Sequence, residues 1–273
     1  MKIYEGKQHW IDNFDYNEFA EKYFKLSCEG QRGFIDSMDI STNPKWLELK
    51  RGHLGASTAK SFLADSQKVS AMKKTKGWKE ATEEERNNML AEIPVEERLG
   101  DTCKELAFKL LAERRTSWVE PEASWSEKTS IKRGLCFEQF SEVIYKKLTG
   151  LDCVDILFFE RDELLGFSPD KLVNDHGKKV ALEIKNFEPP AYYKAILGME
   201  KPETIAQIQM QIYIGNLDRV DLLYTSFEDN SYKLYSYERD EEFMKNFERR
   251  EKEFKEYLKL VENSINQEIK VVK

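Results

Sequence analysis

The chain has 273 residues, of which 40% are hydrophobic and 34% are charged, and its formal net charge at pH 7 is −7. This length and hydrophobic content favour one or two folded domains and exclude a largely disordered chain. The sequence contains no secretory signal and no apolar run long enough to span a bilayer, so we expect a cytoplasmic protein without a membrane partner.

Four cysteines stand singly along the sequence, and none belongs to a closely spaced pair. In a cytoplasmic protein such residues are expected to be reduced and buried, and their scatter argues against an iron–sulfur cluster. The cysteines are Cys28, Cys103, Cys136 and Cys153.

The N-terminal part of the chain contains helical patterns separated by a charged segment. Apolar spacing predicts a helix over residues 17–26, and a second helix is expected over 57–64 with Ser57 near its N-cap. Residues 65–100 are strongly charged, and we interpret them as an insertion. The apolar positions of 102–115 again follow helical spacing.

The C-terminal part alternates between helical and extended patterns, which is typical of an α/β fold. Gly150 is expected to end the first of its helices. The predicted helices cover residues 132–148, 204–214 and 240–273, and the predicted strands cover 155–160, 167–173, 179–184 and 219–226.

The most informative stretch reads GFSPDKLVNDHGKKVALEIK and covers residues 166–185. Its two extended segments flank the turn signal Asn-Asp-His-Gly at 174–177, which predicts a β-hairpin. Facing residues of an antiparallel hairpin have a constant sum of positions, so Asp170 and Glu183 should lie opposite each other. Because side chains alternate along a strand, Glu183 and Lys185 should share one face.

Two carboxylates beside a lysine form either a divalent-metal site or a solvated ion pair at the edge of a sheet. The apolar residues around both carboxylates favour the metal site, and so does Pro169, which should kink or end its strand. Asp170, Glu183 and the Ile184 carbonyl would then bind Mg²⁺ or Mn²⁺, since these ions prefer oxygen ligands. Lys185 would polarise a water molecule or stabilise developing negative charge.

Together with this stretch, three further segments resemble the lambda-exonuclease-like (YqaJ-type) phage recombination nucleases of the PD-(D/E)xK superfamily. They are WLELKRGHLGAS at 46–57, RGLCFE at 133–138 and AQIQMQ at 206–211, and all four segments occur in the order of the family. The resemblance implies a mixed central sheet flanked by helices. We therefore expect one nuclease domain over residues 1–273, with its core at about 46–226.

The resemblance also assigns roles to residues whose own sequence context would not reveal them. Without it, Glu138 is an ordinary glutamate in the first turn of a helix, Ser57 is an N-cap and Gln207 is a polar helix residue. With it, Glu138 completes a site for two metal ions. A separate pocket for a 5′-phosphate is implied at Ser57, Gln207, Gln211 and either Lys50 or Arg51.

The implied activity is 5′–3′ digestion of one strand of linear double-stranded DNA to mononucleotides, which leaves single-stranded DNA for annealing. A ring-shaped homotrimer, an annealing protein as partner and a bacterial host cytoplasm are implied as well. Because the chain is acidic overall, DNA affinity would need a local basic surface. Two alternatives stay open: a restriction-type endonuclease, which would cut closed circles, and a non-catalytic DNA-binding relative.

Overall fold

The computed structural model describes residues 1–118, 129–199 and 202–269. The helices are α1 (Tyr16–Tyr23), α2 (Cys28–Asp36), α3 (Pro44–Lys50), α4 (Ala59–Phe62), α5 (Gln67–Lys73), α6 (Lys76–Glu80), α7 (Glu83–Ala91), α8 (Val95–Arg98), α9 (Asp101–Arg115), α10 (Thr129–Thr149), α11 (Pro189–Ile196), α12 (Pro202–Gly215) and α13 (Glu241–Glu268). The strands are β1 (Lys2–Glu5), β2 (His9–Ile11), β3 (Ile40–Thr42), β4 (Asp152–Val154), β5 (Ile156–Glu160), β6 (Gly166–Phe167), β7 (Lys171–Asp175), β8 (Lys178–Asn186), β9 (Arg219–Ser226) and β10 (Ser231–Glu238).

The described residues form two compact units. The first combines residues from 1–56 and 119–239, and the second combines residues from 57–118 and 240–273. The expectation of a single nuclease domain stays a prediction.

A five-stranded sheet in the order β10-β9-β8-β7-β4 forms the centre of the first unit. Strands β8 and β9 run parallel, and the other neighbours run antiparallel, so the predicted mixed sheet is confirmed. Tyr145 of α10 packs with Val180 and Leu182 on one face of β8. The side chains of α12 contact the opposite face through Glu183. Helices therefore flank both faces of the sheet, as predicted.

The hairpin β7–β8 has the predicted register. Lys171 pairs with Leu182 and Asp175 pairs with Lys178, so extending the register by one residue places Asp170 opposite Glu183. The two residues between the strands, His176 and Gly177, have φ values of 47° and 92°. Positive φ at both positions is typical of a type I′ turn, which fixes the register of a two-residue hairpin.

Residues 167–173, which were predicted to be extended with a kink or strand end at Pro169, belong to two separate strands. The chain leaves the extended ladder at Ser168 and Pro169, because proline has no N–H to donate to a neighbouring strand. Strand β6 before this break pairs with β5 in a separate three-stranded sheet, whereas β7 after it joins the five-stranded sheet. The expected end of the strand at Pro169 is confirmed.

The second unit is helical, and α13 packs against α8 and α9. The charged segment at 65–100 folds into α5–α8 around a small core of Val69, Leu90 and Ile93. The predicted C-terminal helix is present from Glu241 to Glu268, and residues 270–273 of that prediction lie outside the described residues.

All four cysteines are free thiols, as expected, and Cys103 and Cys136 are buried. Cys153 is partly buried. The prediction that Cys28 is a core residue is wrong, because Cys28 begins α2 on its exposed side. Among the described helices, none combines the length and the apolar character that a membrane crossing requires.

Candidate functional site

The S-P-D segment ends at the first carboxylate of the site. Asp170 lies directly before β7, and its Oδ2 accepts a hydrogen bond of 2.6 Å from the backbone N–H of Ile184. Burial raises the pKa of Asp170 well above its ordinary value, and the nearby carboxylates of Glu183 and Glu138 raise it further. Like charges have therefore been brought together at this end of the hairpin, which is an environment that a cation would stabilise.

Glu183 is buried on the face of β8 that meets α12. Its Oε1 accepts hydrogen bonds from Lys185 Nζ at 2.5 Å and Gln207 Nε2 at 3.0 Å, and its Oε2 accepts one from Gln211 Nε2 at 2.7 Å. The prediction that Gln207 and Gln211 share a helix face is confirmed. Gln209 points away, as predicted, and donates to a backbone carbonyl of β10.

Lys185 brings a positive charge to the two facing carboxylates. Burial acts to lower the pKa of its ammonium, but Glu183 and then Asp170 outweigh this effect and raise the pKa above its ordinary value. The lysine is therefore positively charged at neutral pH. It is placed to stabilise negative charge or to orient a water molecule at the carboxylates.

Glu138 approaches the site from α10, but another lysine already binds it. Because α10 begins at Thr129, Glu138 lies in the interior of the helix, and the expectation of a position one turn from the helix start is wrong. Its Oε1 is 2.8 Å from Nζ of Lys171, which follows Asp170 in sequence. A role for Lys171 was not predicted, although a lysine directly before the apolar pair Leu172 and Val173 was a visible signal.

The S-P-D segment lies outside the strands, and two distant side chains hold it in place. Trp46 Nε1 donates a hydrogen bond of 2.7 Å to Ser168 Oγ, which in turn donates to the Leu157 carbonyl at 2.9 Å. Gln8 Nε2 donates to the Pro169 carbonyl at 2.7 Å. These contacts fix the backbone directly before Asp170.

We expect Trp46→Phe to lower both stability and catalytic rate. The substitution keeps an aromatic ring but removes the N–H that holds Ser168, which should cost about 1 kcal/mol of unfolding free energy. Displacement of Asp170 should lower kcat roughly tenfold or more. Denaturant unfolding measures the first effect, and the rate of the DNA digestion that the sequence resemblance implies measures the second. Trp10→Phe is the matched control, because the exposed Trp10 donates only to Asp12, and unchanged values for both variants would contradict the role of Trp46.

The residues assigned to a 5′-phosphate lie on separate segments. Lys50 is the last residue of α3, and Arg51 is the C-cap residue that follows it. Ser57 was expected near the N-cap of a helix over 57–64, and it lies in a 3-10 turn (Ala56–Thr58) that leads into α4. The N-cap itself is the next residue, Thr58. Ser57 belongs to the second unit, whereas the basic residues belong to the first. The phosphate pocket stays a prediction.

The donor set of the hairpin fits a hard divalent cation. It consists of oxygen atoms from Asp170, Glu183 and the Ile184 backbone, which suit Mg²⁺ or Mn²⁺ better than zinc. Within residues 1–118, 129–199 and 202–269, no three His, Cys, Asp or Glu side chains form a ready-made metal-binding group. The carboxylate of Glu138, which would be the third acidic ligand, is bound to Lys171 instead.

The mixed sheet and its hairpin, with Asp170 facing Glu183 and Lys185 two residues further on, define the PD-(D/E)xK nuclease fold. Within that class, the chain belongs to the family of the YqaJ-like viral recombinase domain, which matches residues 45–218. The resemblance inferred from four sequence segments is thereby confirmed. No curated protein is similar enough in sequence to count as a relative.

Solved structures of exonucleases have a similar fold. An alkaline exonuclease, LHK-Exo from Laribacter hongkongensis, matches with a TM-score of 0.57 and 17% identity, over 82% of this chain and 99% of that chain. The structure of LHK-Exo in complex with dAMP matches with a TM-score of 0.57 and 19% identity, over 82% of this chain and 95% of that chain. A phage-related exonuclease from Haemophilus somnus 129PT matches with a TM-score of 0.53 and 13% identity, over 80% of this chain and 98% of that chain. These identities are low, so the similarity concerns the fold.

Proposed function

We propose that this protein is a metal-dependent 5′–3′ exonuclease that digests one strand of linear double-stranded DNA to mononucleotides. The remaining single strand would serve recombination by annealing. The observation that carries the proposal is the placement of Asp170 opposite Glu183 and beside Lys185, in a chain of the YqaJ-like viral recombinase family. The exonucleases of similar fold support it.

Each residue of the site has a part in this proposal. Two bound Mg²⁺ or Mn²⁺ ions would supply charge neutralisation at the phosphate and an activated water. Asp170, Glu183, Glu138 and the Ile184 carbonyl would hold them, and the Lys185 ammonium would stabilise charge that develops during hydrolysis. The amides of α12 keep the Glu183 carboxylate fixed, so little reorganisation is needed when the substrate binds.

The proposal includes partners. The substrate is the end of a DNA duplex, which a ring-shaped homotrimer of this protein would bind. A single-strand annealing protein would then bind the single-stranded product. Because the net charge is −7, the DNA contacts must come from a local basic surface, and binding should weaken steeply as salt rises.

A comparison of DNA topologies tests the exonuclease directly. Linear, end-labelled duplex should be degraded from its 5′ ends to mononucleotides, whereas a closed circle of the same sequence should stay intact. Efficient cutting of closed circles would favour a restriction-type endonuclease with the same metal hairpin. An intact linear duplex in the presence of Mg²⁺ and Mn²⁺ would favour a non-catalytic DNA-binding relative.

Duplex with a 5′-phosphate should be digested faster than duplex with a 5′-hydroxyl, since the proposed pocket would place the first phosphodiester at the metal site. Ser57→Ala, Gln207→Ala and one of the two substitutions Lys50→Ala and Arg51→Ala should each narrow the difference between the two rates. The measurement is the ratio of the rates on the two substrates. A ratio is needed because Gln207 also contacts Glu183, so that its loss can lower both rates together. Gln209→Ala on the opposite helix face is the matched control. Equal rates on both ends in the unsubstituted protein would contradict the pocket.

A further inference from the structure

Lys171 is a buried lysine surrounded by three partly exposed carboxylates, of which the proposed hydrolysis uses only Glu138. Its side chain is only 4% exposed. Nζ lies 2.8 Å from Glu138 Oε1 and 3.3 Å from Glu142 Oε2, and it also forms an ion pair with Asp155. We refer to these four residues as the Lys171 cluster.

The strand geometry places this cluster beside the site but on the other face of the sheet. Neighbouring residues of a strand point to opposite faces, so Leu182 and Glu183 of β8 lie on opposite faces of the sheet. Lys171 pairs with Leu182 and therefore shares the face that α10 covers. Glu138 and Glu142 are one helical turn apart on α10, so both can reach the same ammonium.

Glu138 consequently has two competing interactions. Its charge acts on Asp170, whose pKa it helps to raise, while its Oε1 binds the ammonium of Lys171. A buried, charge-assisted hydrogen bond of this kind must be broken or weakened before the same oxygen can bind a metal ion. Lys185 holds Glu183 in a similar way, but its side chain is 31% exposed and can be solvated when a cation displaces it, whereas the Lys171 side chain is only 4% exposed.

We propose that Lys171 is a positioning residue that competes with a divalent cation for Glu138, so that the two ions bind with unequal affinity. The tighter ion would use Asp170 and Glu183. The weaker ion would need Glu138, and its affinity would be set by the strength with which Lys171 holds that carboxylate. This inference rests on the metal-dependent function proposed above, and it concerns the order of metal loading rather than the hydrolysis itself.

Calorimetric titration of the full-length protein with Mn²⁺ alone tests the inference. The unsubstituted protein should show one tighter and one weaker binding step. The double variant Lys171→Met/Glu142→Gln removes the competing ammonium together with one carboxylate, so the formal charge of the cluster is unchanged. Its weaker step should tighten by about tenfold or more, because the charged hydrogen bond that opposes binding is gone.

Lys178→Met is the matched control, since it removes an exposed lysine from the far end of the same hairpin. It should leave both binding steps unchanged. Glu142→Gln gives a test of the opposite sign and covers the case in which the double variant does not fold. With one partner removed, Lys171 should hold Glu138 more strongly, so the weaker step should weaken further.

The outcomes separate the inference from the proposed function. If the double variant folds and the affinity of its weaker Mn²⁺-binding step is unchanged or lower, the role of Lys171 is overturned, while metal dependence stays intact. If Glu142→Gln leaves the affinity of the weaker Mn²⁺-binding step unchanged or increases it, the role of Lys171 is also overturned. If the unsubstituted protein binds no Mn²⁺, the metal-dependent function itself is wrong, and the inference falls with it.

Discussion

Asp170→Asn and Glu183→Gln should each lower the rate of DNA hydrolysis by roughly a thousandfold or more. Both substitutions keep the size of the side chain but remove the negative charge that would hold a cation at the hairpin. Lys185→Met should have a comparably large effect, because it removes the ammonium that contacts Glu183. The rates are measured on end-labelled linear duplex with Mg²⁺ or Mn²⁺, and circular dichroism checks the fold.

Two control variants separate local from general charge effects. Lys179→Met removes an exposed lysine from the same strand as Lys185, and Asp152→Asn removes an exposed carboxylate from β4. Both should retain the activity of the unsubstituted protein. Excess chelator should abolish digestion in all active variants. A folded Asp170→Asn variant with full activity, or digestion that persists in chelator, would show that the site is assigned to the wrong residues.

Glu228→Gln should lower the free energy of unfolding by about 3 kcal/mol, because it leaves a buried guanidinium without a counter-charge. Arg133 is buried above the ring of Phe137, and its Nη2 lies 2.6 Å from Glu228 Oε2. Its Nη1 donates to Tyr23 Oη at 2.8 Å, and this hydroxyl donates to Glu228 Oε1 at 2.5 Å. Loss of one charge therefore disturbs all three side chains. Denaturant unfolding gives the measurement.

Glu188→Gln supplies the matched control, because Glu188 forms a similar ion pair with Arg32 but both side chains are exposed. An exposed pair of this kind contributes little to stability, so Glu188→Gln should leave the free energy of unfolding nearly unchanged. Equal losses of stability in the two variants would contradict the importance of burial for the Arg133 pair.

The pH dependence of this pair has a definite sign. Burial acts to raise the pKa of Glu228, but the hydrogen bonds from Arg133 and Tyr23 outweigh it and hold the pKa below its ordinary value. A carboxyl group with a lowered pKa in the folded state stabilises the protein above the pKa of the unfolded state, about 4.3 for glutamate. That contribution is lost as the pH falls further, through the pKa of the folded state.

The hairpin could be predicted from sequence because the features that define it lie close together along the chain. The turn at His176 and Gly177 fixes the register, and the alternation of a strand fixes the faces, so the relation of Asp170 to Glu183 follows from counting. The shared face of Gln207 and Gln211 followed in the same way from helical periodicity. The sequence context of Glu138 did not connect it with this hairpin, and the family resemblance did.

The features that escaped prediction depend on contacts between distant segments. The hydrogen bond from Trp46 to Ser168 joins residues 122 positions apart, and no local pattern encodes it. The engagement of Lys171 depends on which face α10 turns toward β7, which periodicity alone does not fix. Cys28 was assigned to the core from residue type, although the exposure of a helical residue depends on how its helix packs.

The interleaving of the two units limits the order in which the chain can fold while it is being synthesised. The first strand of the first unit must wait for a partner far downstream, since Lys2 bonds to Glu160 across 158 residues. The second unit closes later still, because Arg250 of α13 bonds to Asp65 across 185 residues. Folding dominated by such distant pairings is slow and exposes apolar surface in the meantime. Most of the nascent chain must therefore leave the ribosome before either unit is complete.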